Sequence, residues 1–149
     1  MSKFHVHLII TALAIIIFLP GLGLVHLFDW DELNFAESAR EMVVSHNYNY
    51  VQIAFEPFWE KPPLFIWIQA IFVNLFGDRT WVYRLPNAVS GIITVNIAYH
   101  IGSYLGRRTL GVFWAITVAL TFAPLIYYKS GIIDPVFNLL ILLSIWHWY

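Results

Sequence analysis

The chain has 149 residues, of which 60% are hydrophobic and only 11% are charged. Soluble domains carry roughly 25% charged residues, and a chain of this length could not bury so much apolar surface in water. The net charge of −1 offers no electrostatic basis for nucleic-acid binding, and the absence of cysteine excludes disulfides and thiolate metal sites. The composition therefore predicts an all-α polytopic membrane protein.

The first apolar segment, 6–28, contains no Asp, Glu, Lys or Arg. It is long enough to cross a bilayer core, since a helix needs about 20 residues to span about 30 Å. It lacks the small-residue cleavage site of a signal peptide. We therefore expect an uncleaved first transmembrane helix at 6–28.

Four further apolar segments follow, at 63–76, 85–105, 110–128 and 135–149. The segments 85–105 and 110–128 are long enough to cross, and a tight basic turn with Arg107 and Arg108 joins them. The segment 135–149 is short of a full span, so we expect a truncated last helix. Partners of the site residues would then lie beyond Tyr149, and we expect the 149-residue segment alone to be inactive.

The segment 63–76 decides the topology. Its short length, after Pro62, favours a helix that lies at the membrane surface or re-enters it, whereas the positive-inside rule mildly favours a crossing. The first alternative places Asp31 and Asp134 on the same side of the membrane, and we adopt it. The chain is then the N-terminal part of a transmembrane domain, with a long outer-face loop at 29–84 that contains juxtamembrane helices.

The loop begins with an acidic cluster. From Asp31 to about His46 the apolar residues fall on one helical stripe, which predicts an amphipathic helix along the interface. Asp29 and Glu32 have the spacing of a capping box, and acidic residues suit a helix N-terminus. Capping and a catalytic role are compatible, because a capping carboxylate can still face a site.

A second charged cluster, Glu60 and Lys61, lies at the end of the loop, next to Trp59. It could be an interfacial anchor. Pro62 favours an extended backbone at Lys61, which holds an acid and a cation on a rigid stem. Ionisable groups at membrane depth are costly and usually functional. We therefore favour a functional role for this pair.

Four motifs occur in order along the chain. They are Asp31-Glu32-x-x-Phe35-Ala36-Glu37-x-Ala39-Arg40-Glu41-Met42, Pro57-Phe58-Trp59-Glu60-Lys61-Pro62-Pro63-Leu64, Arg84-Leu85-Pro86-Asn87 and Ser130-Gly131-Ile132-Ile133-Asp134-Pro135. The ordered set resembles the protein O-mannosyltransferase superfamily, and within it the bacterial family-39-type and aminoarabinose-transferase-like enzymes. Asn34 differs, because the aminoarabinose transferases carry an arginine there.

This resemblance implies a GT-C fold and a glycosyltransferase activity. Such enzymes pass a sugar from a polyprenyl-phosphate donor to a protein, lipid A or polysaccharide acceptor at the outer face of the membrane, in bacteria the inner membrane, with inversion. Asp31 matches the catalytic aspartate and is expected to act as general base. Lys61 matches a contact of the donor phosphate, and Glu60 a ligand of a divalent metal. The resemblance implies no organic cofactor.

Three further residues complete the predicted site. Glu32 adjoins the catalytic aspartate in its motif and is expected to bind substrate. Arg84 could bind phosphate or anchor its helix at the interface. Asp134, followed by Pro135, suits a helix start and also matches the family's second acid.

A different function class stays open at this stage. The chain could be a non-catalytic membrane protein, such as a transporter whose acidic loop gates an ion or a substrate. The polar residues Asn96 and His100, four apart on one helix face, are expected to form hydrogen bonds between helices.

Overall fold

The structure, a computed structural model, describes residues 3–28 and 30–149. Within these ranges the elements are α1 (Lys3–Phe18), α2 (Asp31–Ser45), β1 (Gln52–Ile53), β2 (Glu56–Pro57), α3 (Pro63–Phe76), α4 (Thr80–Leu105), α5 (Arg108–Leu120), α6 (Phe122–Tyr127) and α7 (Asp134–Trp148). The amphipathic helix predicted from Asp31 to about His46 is confirmed by α2. None of the helices in the described ranges combines the length and the hydropathy that a membrane crossing requires.

The prediction of an all-α chain needs one correction. Strands β1 and β2 form a small antiparallel hairpin in which Gln52 pairs with Pro57 and Ile53 with Glu56. The two residues at its tip, Ala54 and Phe55, both have positive φ angles. A two-residue hairpin turn of this kind requires positive φ at both central positions, which Asn and Gly adopt more easily. The sequence therefore lacks the usual signal for this hairpin.

The prediction of one helix at 6–28 is wrong, because α1 ends at Phe18. Pro20 has no amide hydrogen to continue the helix, and Gly21 adopts a φ of 82°. The chain then forms turns through Val25 before it reaches the acidic loop. The apolar character of 19–28 belongs to this turn segment, and periodicity did not separate it from the helix.

The prediction of one helix at 110–128 is also wrong. Helix α5 ends at Leu120, Thr121 is extended, and α6 begins at Phe122. The cause is Pro124, which cannot donate the amide hydrogen bond that the carbonyl of Leu120 would accept in a continuous helix. The segment 85–105 lies inside a longer helix, since α4 already begins at Thr80.

Helix α4 is the central element and packs against α1, α3, α5 and α7. One core lies between α1, α4 and α5 and includes Ala14, Phe18, Val95, Tyr99 and Ala115. A second core lies between α2, α3 and the start of α4 and includes Phe35, Ala39, Met42, Phe65, Ile66 and Val82. The second core fixes the loop helices α2 and α3 to the same helix that organises the first core.

The α4–α5 pair is held at close approach by two glycines. A Cβ atom on Gly102 would lie 2.7 Å from Gly111 Cα, and one on Gly111 would lie 2.5 Å from the carbonyl oxygen of Tyr99. Both obstacles are backbone atoms and cannot rotate away. Glycine at both positions is therefore a packing requirement of this helix pair.

Replacing Gly111 by alanine is expected to force α4 and α5 apart. Overpacking of this kind costs about 1–3 kcal/mol, so the thermal unfolding midpoint of the purified protein should fall. Gly23→Ala is the matched control, because its Cβ would meet Trp81 at an ordinary contact distance of 3.4 Å. Equal unfolding midpoints for the two variants would contradict the close packing described for α4 and α5.

Candidate active site

The acid and the cation that the sequence singled out lie in direct contact. Lys61 Nζ donates a hydrogen bond of 2.5 Å to Asp31 Oδ1, although the two residues are 30 positions apart. The ammonium group also lies 5.4 Å from the centre of the Phe35 ring, which favours a cation over its face. The Asp31 side chain is half exposed and that of Lys61 is mostly covered. The pair therefore presents a reachable carboxylate beside a fixed positive charge.

The N-terminal ends of α2 and α3 position the Asp31 carboxylate and the Lys61 ammonium group. Asp31 is the first residue of α2, where a negative charge is favoured by the exposed amide groups of the first turn. It follows Trp30, whose φ of 70° is rare for a bulky side chain. Lys61 precedes Pro62, the extended N-cap of α3, and Pro63 begins that helix. The two prolines limit the backbone freedom of the chain that carries Lys61.

The hairpin before Lys61 is tied to α2 by buried polar side chains. The amide of Phe55 donates a 2.8 Å hydrogen bond to Glu41 Oε2, which satisfies a donor at the strained tip. Gln52 Nε2 donates to Ser45 Oγ at 2.6 Å. Glu41 and Gln52 are almost fully buried. Sequence reasoning missed both, because helical periodicity places Glu41 away from the apolar stripe of α2.

A second ion pair, between Glu32 and Arg84, lies fully inside the protein. Arg84 Nε and Nη2 donate to the two carboxylate oxygens of Glu32 at 2.7 and 2.9 Å. The remaining three donors of the guanidinium bind the carbonyl oxygens of Leu22, Val25 and His26 at 2.8 to 2.9 Å. All five N–H donors of Arg84 are thus used. The side chains of Arg84 and Glu32 are 3% and 1% exposed.

Glu32 also binds two backbone amides. Phe28 N–H donates to Oε2 at 2.6 Å and Gly131 N–H to Oε1 at 2.5 Å. The bond to Phe28 reaches back four residues along the chain, whereas a capping-box glutamate accepts from the amide three residues before it. Asp29, the other residue of the predicted box, lies outside the described residues. The carboxylate of Glu32 therefore holds α2, α4 and two loops at one point.

The loop 130–133, which leads to Asp134, is held next to Glu32. Asn87 Nδ2 donates to the carbonyl oxygens of Ser130 and Ile132, both at 2.6 Å. A Cβ atom on Gly131 would lie 3.2 Å from Glu32, so only glycine fits without displacement. The Arg-x-Pro-Asn motif and the Ser-Gly-Ile-Ile-Asp motif are thus in contact.

Asp134 is exposed in the first turn of α7, with Ile133 as N-cap and Pro135 following. The predicted N-cap is therefore displaced by one residue. No hydrogen bond to the Asp134 carboxylate is found within residues 3–28 and 30–149, so capping does not occupy it. Its role as second acid stays a prediction.

Two neighbouring ionisable groups have shifted pKa values. The guanidinium of Arg40, which binds Glu37 at 2.6 and 2.8 Å, lowers the pKa of that carboxyl. Burial, and then a 2.6 Å hydrogen bond to Asp78, raise the pKa of Tyr83. Tyr83 therefore remains a neutral donor at physiological pH. It fixes the start of α4 next to Arg84.

A cleft of about 400 Å³ opens beside Lys61, and its walls come from residues 49–51 and 58–63. Glu60 lines it and is exposed. No three carboxylate, histidine or cysteine side chains converge on a metal position within the described part of the chain. One carboxylate does not make a metal site, so Glu60 as a metal ligand stays a prediction.

The polar residues of α4 behave partly as predicted. Asn96 Oδ1 accepts a 3.0 Å hydrogen bond from Thr11 Oγ1 of α1 and lies 3.2 Å from His7 Nδ1, which confirms an interhelical role. His100 instead contacts Trp146 of α7 edge to face, at 5.9 Å between ring centres. Both residues are remote in sequence from the acidic loop and serve helix packing.

The chain is similar to several known proteins. Residues 60–149 match the model of the dolichyl-phosphate-mannose-protein mannosyltransferase family. An undecaprenyl phosphate-alpha-4-amino-4-deoxy-L-arabinose arabinosyl transferase of Proteus mirabilis is 32% identical over 112 residues, which cover 74% of this chain and 20% of that protein. The putative mannosyltransferase YycA of Bacillus subtilis is 31% identical over 129 residues, 78% of this chain and 18% of its own.

The fold also has a solved counterpart. ArnT from Cupriavidus metallidurans, in a crystal structure bound to undecaprenyl phosphate, superposes with a TM-score of 0.84 at 22% identity over 95% of this chain and 26% of that chain. The chain spans about a fifth of the length of the curated relatives it matches. The family match and the shared helical fold agree with the resemblance that the four motifs carry. The chain belongs to the dolichyl-phosphate-mannose-protein mannosyltransferase family.

Proposed function

We propose that the complete gene product is a glycosyltransferase that moves a sugar from a polyprenyl-phosphate donor to an acceptor at the outer face of the membrane. The observation that carries this proposal is the contact between Asp31 and Lys61 beside an open cleft. The names of the relatives, and the undecaprenyl phosphate bound to the ArnT structure, support the choice of donor.

The reaction needs one base and one anion-binding group. An acceptor hydroxyl oxygen attacks the anomeric carbon, the bond from that carbon to the phosphate oxygen breaks, and the lipid phosphate leaves with the electron pair. Asp31 takes the hydroxyl proton. Lys61 stabilises the negative charge that develops on the leaving phosphate. The single displacement inverts the anomeric centre, and no enzyme nucleophile takes part.

The Asp31–Lys61 pair is suited to exchange of partners. A half-exposed ion pair contributes at most about 1 kcal/mol to stability, so an incoming phosphate can draw Lys61 away from the carboxylate. Asp31 is then free to accept a proton only when the donor is bound. The contact thus links donor binding to the availability of the base.

Glu32 and Arg84 take a different role from the substrate binding expected of them. Their charged atoms are occupied by each other and by backbone groups, and both side chains are buried. We infer that they position the reacting groups. Glu32 follows Asp31 directly in the chain. Gly131, whose amide donates to Glu32, lies three residues before Asp134. We retain Asp134 as the proposed second acid.

The bilayer is the proposed environment of the remaining surface. Large apolar side chains are exposed on several helices, including Phe4, Leu8 and Ile16 of α1, Phe113, Ile116 and Leu120 of α5, and Phe137 and Ile145 of α7. Such extensive apolar surface is unusual for a protein in water and marks contact with lipid or other helices. We propose a multi-pass protein with the Asp31 loop on the outer side.

Asp31→Asn is expected to lower kcat of sugar transfer about 10²- to 10⁴-fold, because the amide cannot accept the acceptor proton. The measurement is transfer from a polyprenyl-phosphate sugar by the complete gene product in membranes. Glu56→Gln, which removes an exposed carboxylate at the hairpin, is the matched control and should retain activity. Full activity of Asp31→Asn at equal expression would overturn the proposed role.

Arg84→Met is expected to destabilise the fold by about 3–5 kcal/mol, because it leaves the buried Glu32 carboxylate without its counter-charge and removes the donor to three carbonyls. Thermal unfolding should show a large fall in midpoint, whereas Arg79→Met, at an exposed arginine near the start of the same helix, should show little change.

Arg84→Lys, assayed below its own thermal unfolding midpoint, tests the positioning role separately. It should lower kcat and leave the affinity for undecaprenyl phosphate unchanged. A selective loss of that affinity would instead indicate direct phosphate contact.

A further inference from the structure

The cleft beside Lys61 has an aromatic wall that the proposed reaction does not use. Tyr50 and Trp59 both line it, with ring centres 6.1 Å apart and ring planes inclined by 37°. Trp59 is 79% exposed, so it fills no part of either core. An apolar ring of this size left in the open at a cleft is a candidate contact for a ligand.

We propose that Tyr50 and Trp59 form a subsite that binds a sugar ring. A sugar presents one face of C–H groups and a rim of hydroxyls. The C–H groups carry a partial positive charge, which suits the electron-rich face of an aromatic ring. The hydroxyls need hydrogen-bonding groups around that face, and the polar residues Glu60 and Asn49 line the same cleft.

The location fits the reaction proposed above, and the subsite rests on that proposal. Lys61 lines the cleft and also bonds Asp31. A phosphate held by Lys61 therefore lies at the border between the aromatic wall and the base. A glycosyl group attached to that phosphate extends into the cleft, and a sugar acceptor would approach the same region.

Ligand binding distinguishes a sugar subsite from a simple membrane anchor. Tryptophan is common at membrane interfaces, where it contacts lipid head groups. An anchor acts on membrane association and not on ligands that differ only in their sugar. A subsite acts on the glycosylated ligand and leaves the bare lipid phosphate unaffected.

The test compares ligands with and without a sugar on the complete gene product in detergent. The probes are undecaprenyl phosphate, its mannosyl derivative and its 4-amino-4-deoxy-L-arabinosyl derivative, with dissociation constants measured by titration. Of the two glycosylated ligands, the one that the wild type binds more tightly should bind Trp59→Ala with a dissociation constant raised about tenfold. The dissociation constant of bare undecaprenyl phosphate should stay unchanged. Trp59→Phe, which keeps a ring, should recover most of the loss.

Trp148→Ala is the matched control, because Trp148 is 91% exposed and lies at the end of α7, outside the cleft. It should bind all three ligands as the wild type does.

If Trp59→Ala leaves donor binding unchanged but raises KM for a sugar acceptor about tenfold, the subsite belongs to the acceptor.

Equal weakening of all three ligands by Trp59→Ala, or no effect on either donor or acceptor, would overturn the subsite. A wild-type protein that binds no glycosylated lipid phosphate and transfers no sugar would instead contradict the proposed function. The two failures are therefore distinguishable in one set of titrations and assays.

Discussion

The buried pair between Arg84 and Glu32 is the interaction on which the arrangement of the loop depends. Isolated charges in a protein interior are strongly unfavourable, and they persist only where all their hydrogen-bonding capacity is met. Here the guanidinium uses all five donors and the carboxylate accepts four hydrogen bonds. Because these bonds come from α2, α4 and two loops, the pair fixes the relative position of segments that are distant in sequence.

The two ion pairs formed by Asp31 with Lys61 and by Glu32 with Arg84 differ in burial, and this difference suggests a division of roles. Arg84 and Glu32 are enclosed and fully satisfied, so no ligand can compete for them without breaking the fold. Asp31 and Lys61 are partly exposed beside a cleft, so the cost of separating them is small. The buried pair holds the backbone of α2, and in the proposed function the exposed pair exchanges partners with a charged substrate.

Much of the helical architecture could be predicted from periodicity and length, as α2 and α3 show. The breaks at Pro20 and Pro124 were missed, because an apolar segment gives the same hydropathy signal whether it is one helix or a helix with a turn. The hairpin at 52–57 was missed because Ala54 and Phe55 are poor turn residues. The Phe55 amide donates to Glu41 at this turn, a tertiary contact that the sequence does not reveal.

The sequence motifs predicted which residues belong to the site but not how those residues contact one another. Asp31, Lys61 and Asp134 were predicted from residue type and order, and the structure brings Asp31 and Lys61 into contact, while the roles of all three stay predictions. The part played by Glu32 and Arg84 could not be predicted, because sequence does not show which charges are buried together. Asn87 and Gly131 were quoted only as parts of motifs, and their contacts depend on the close approach of α4 and the 130–133 loop.

A double-mutant cycle on undecaprenyl phosphate binding tests most directly whether Asp31 and Lys61 act as one unit on the donor. In the complete gene product, Asp31→Asn should tighten binding, because Lys61 no longer has to leave a carboxylate. In the Lys61→Met background the same change should have no effect, which gives a coupling of up to about 1 kcal/mol. An identical effect of Asp31→Asn in both backgrounds would contradict the proposed exchange.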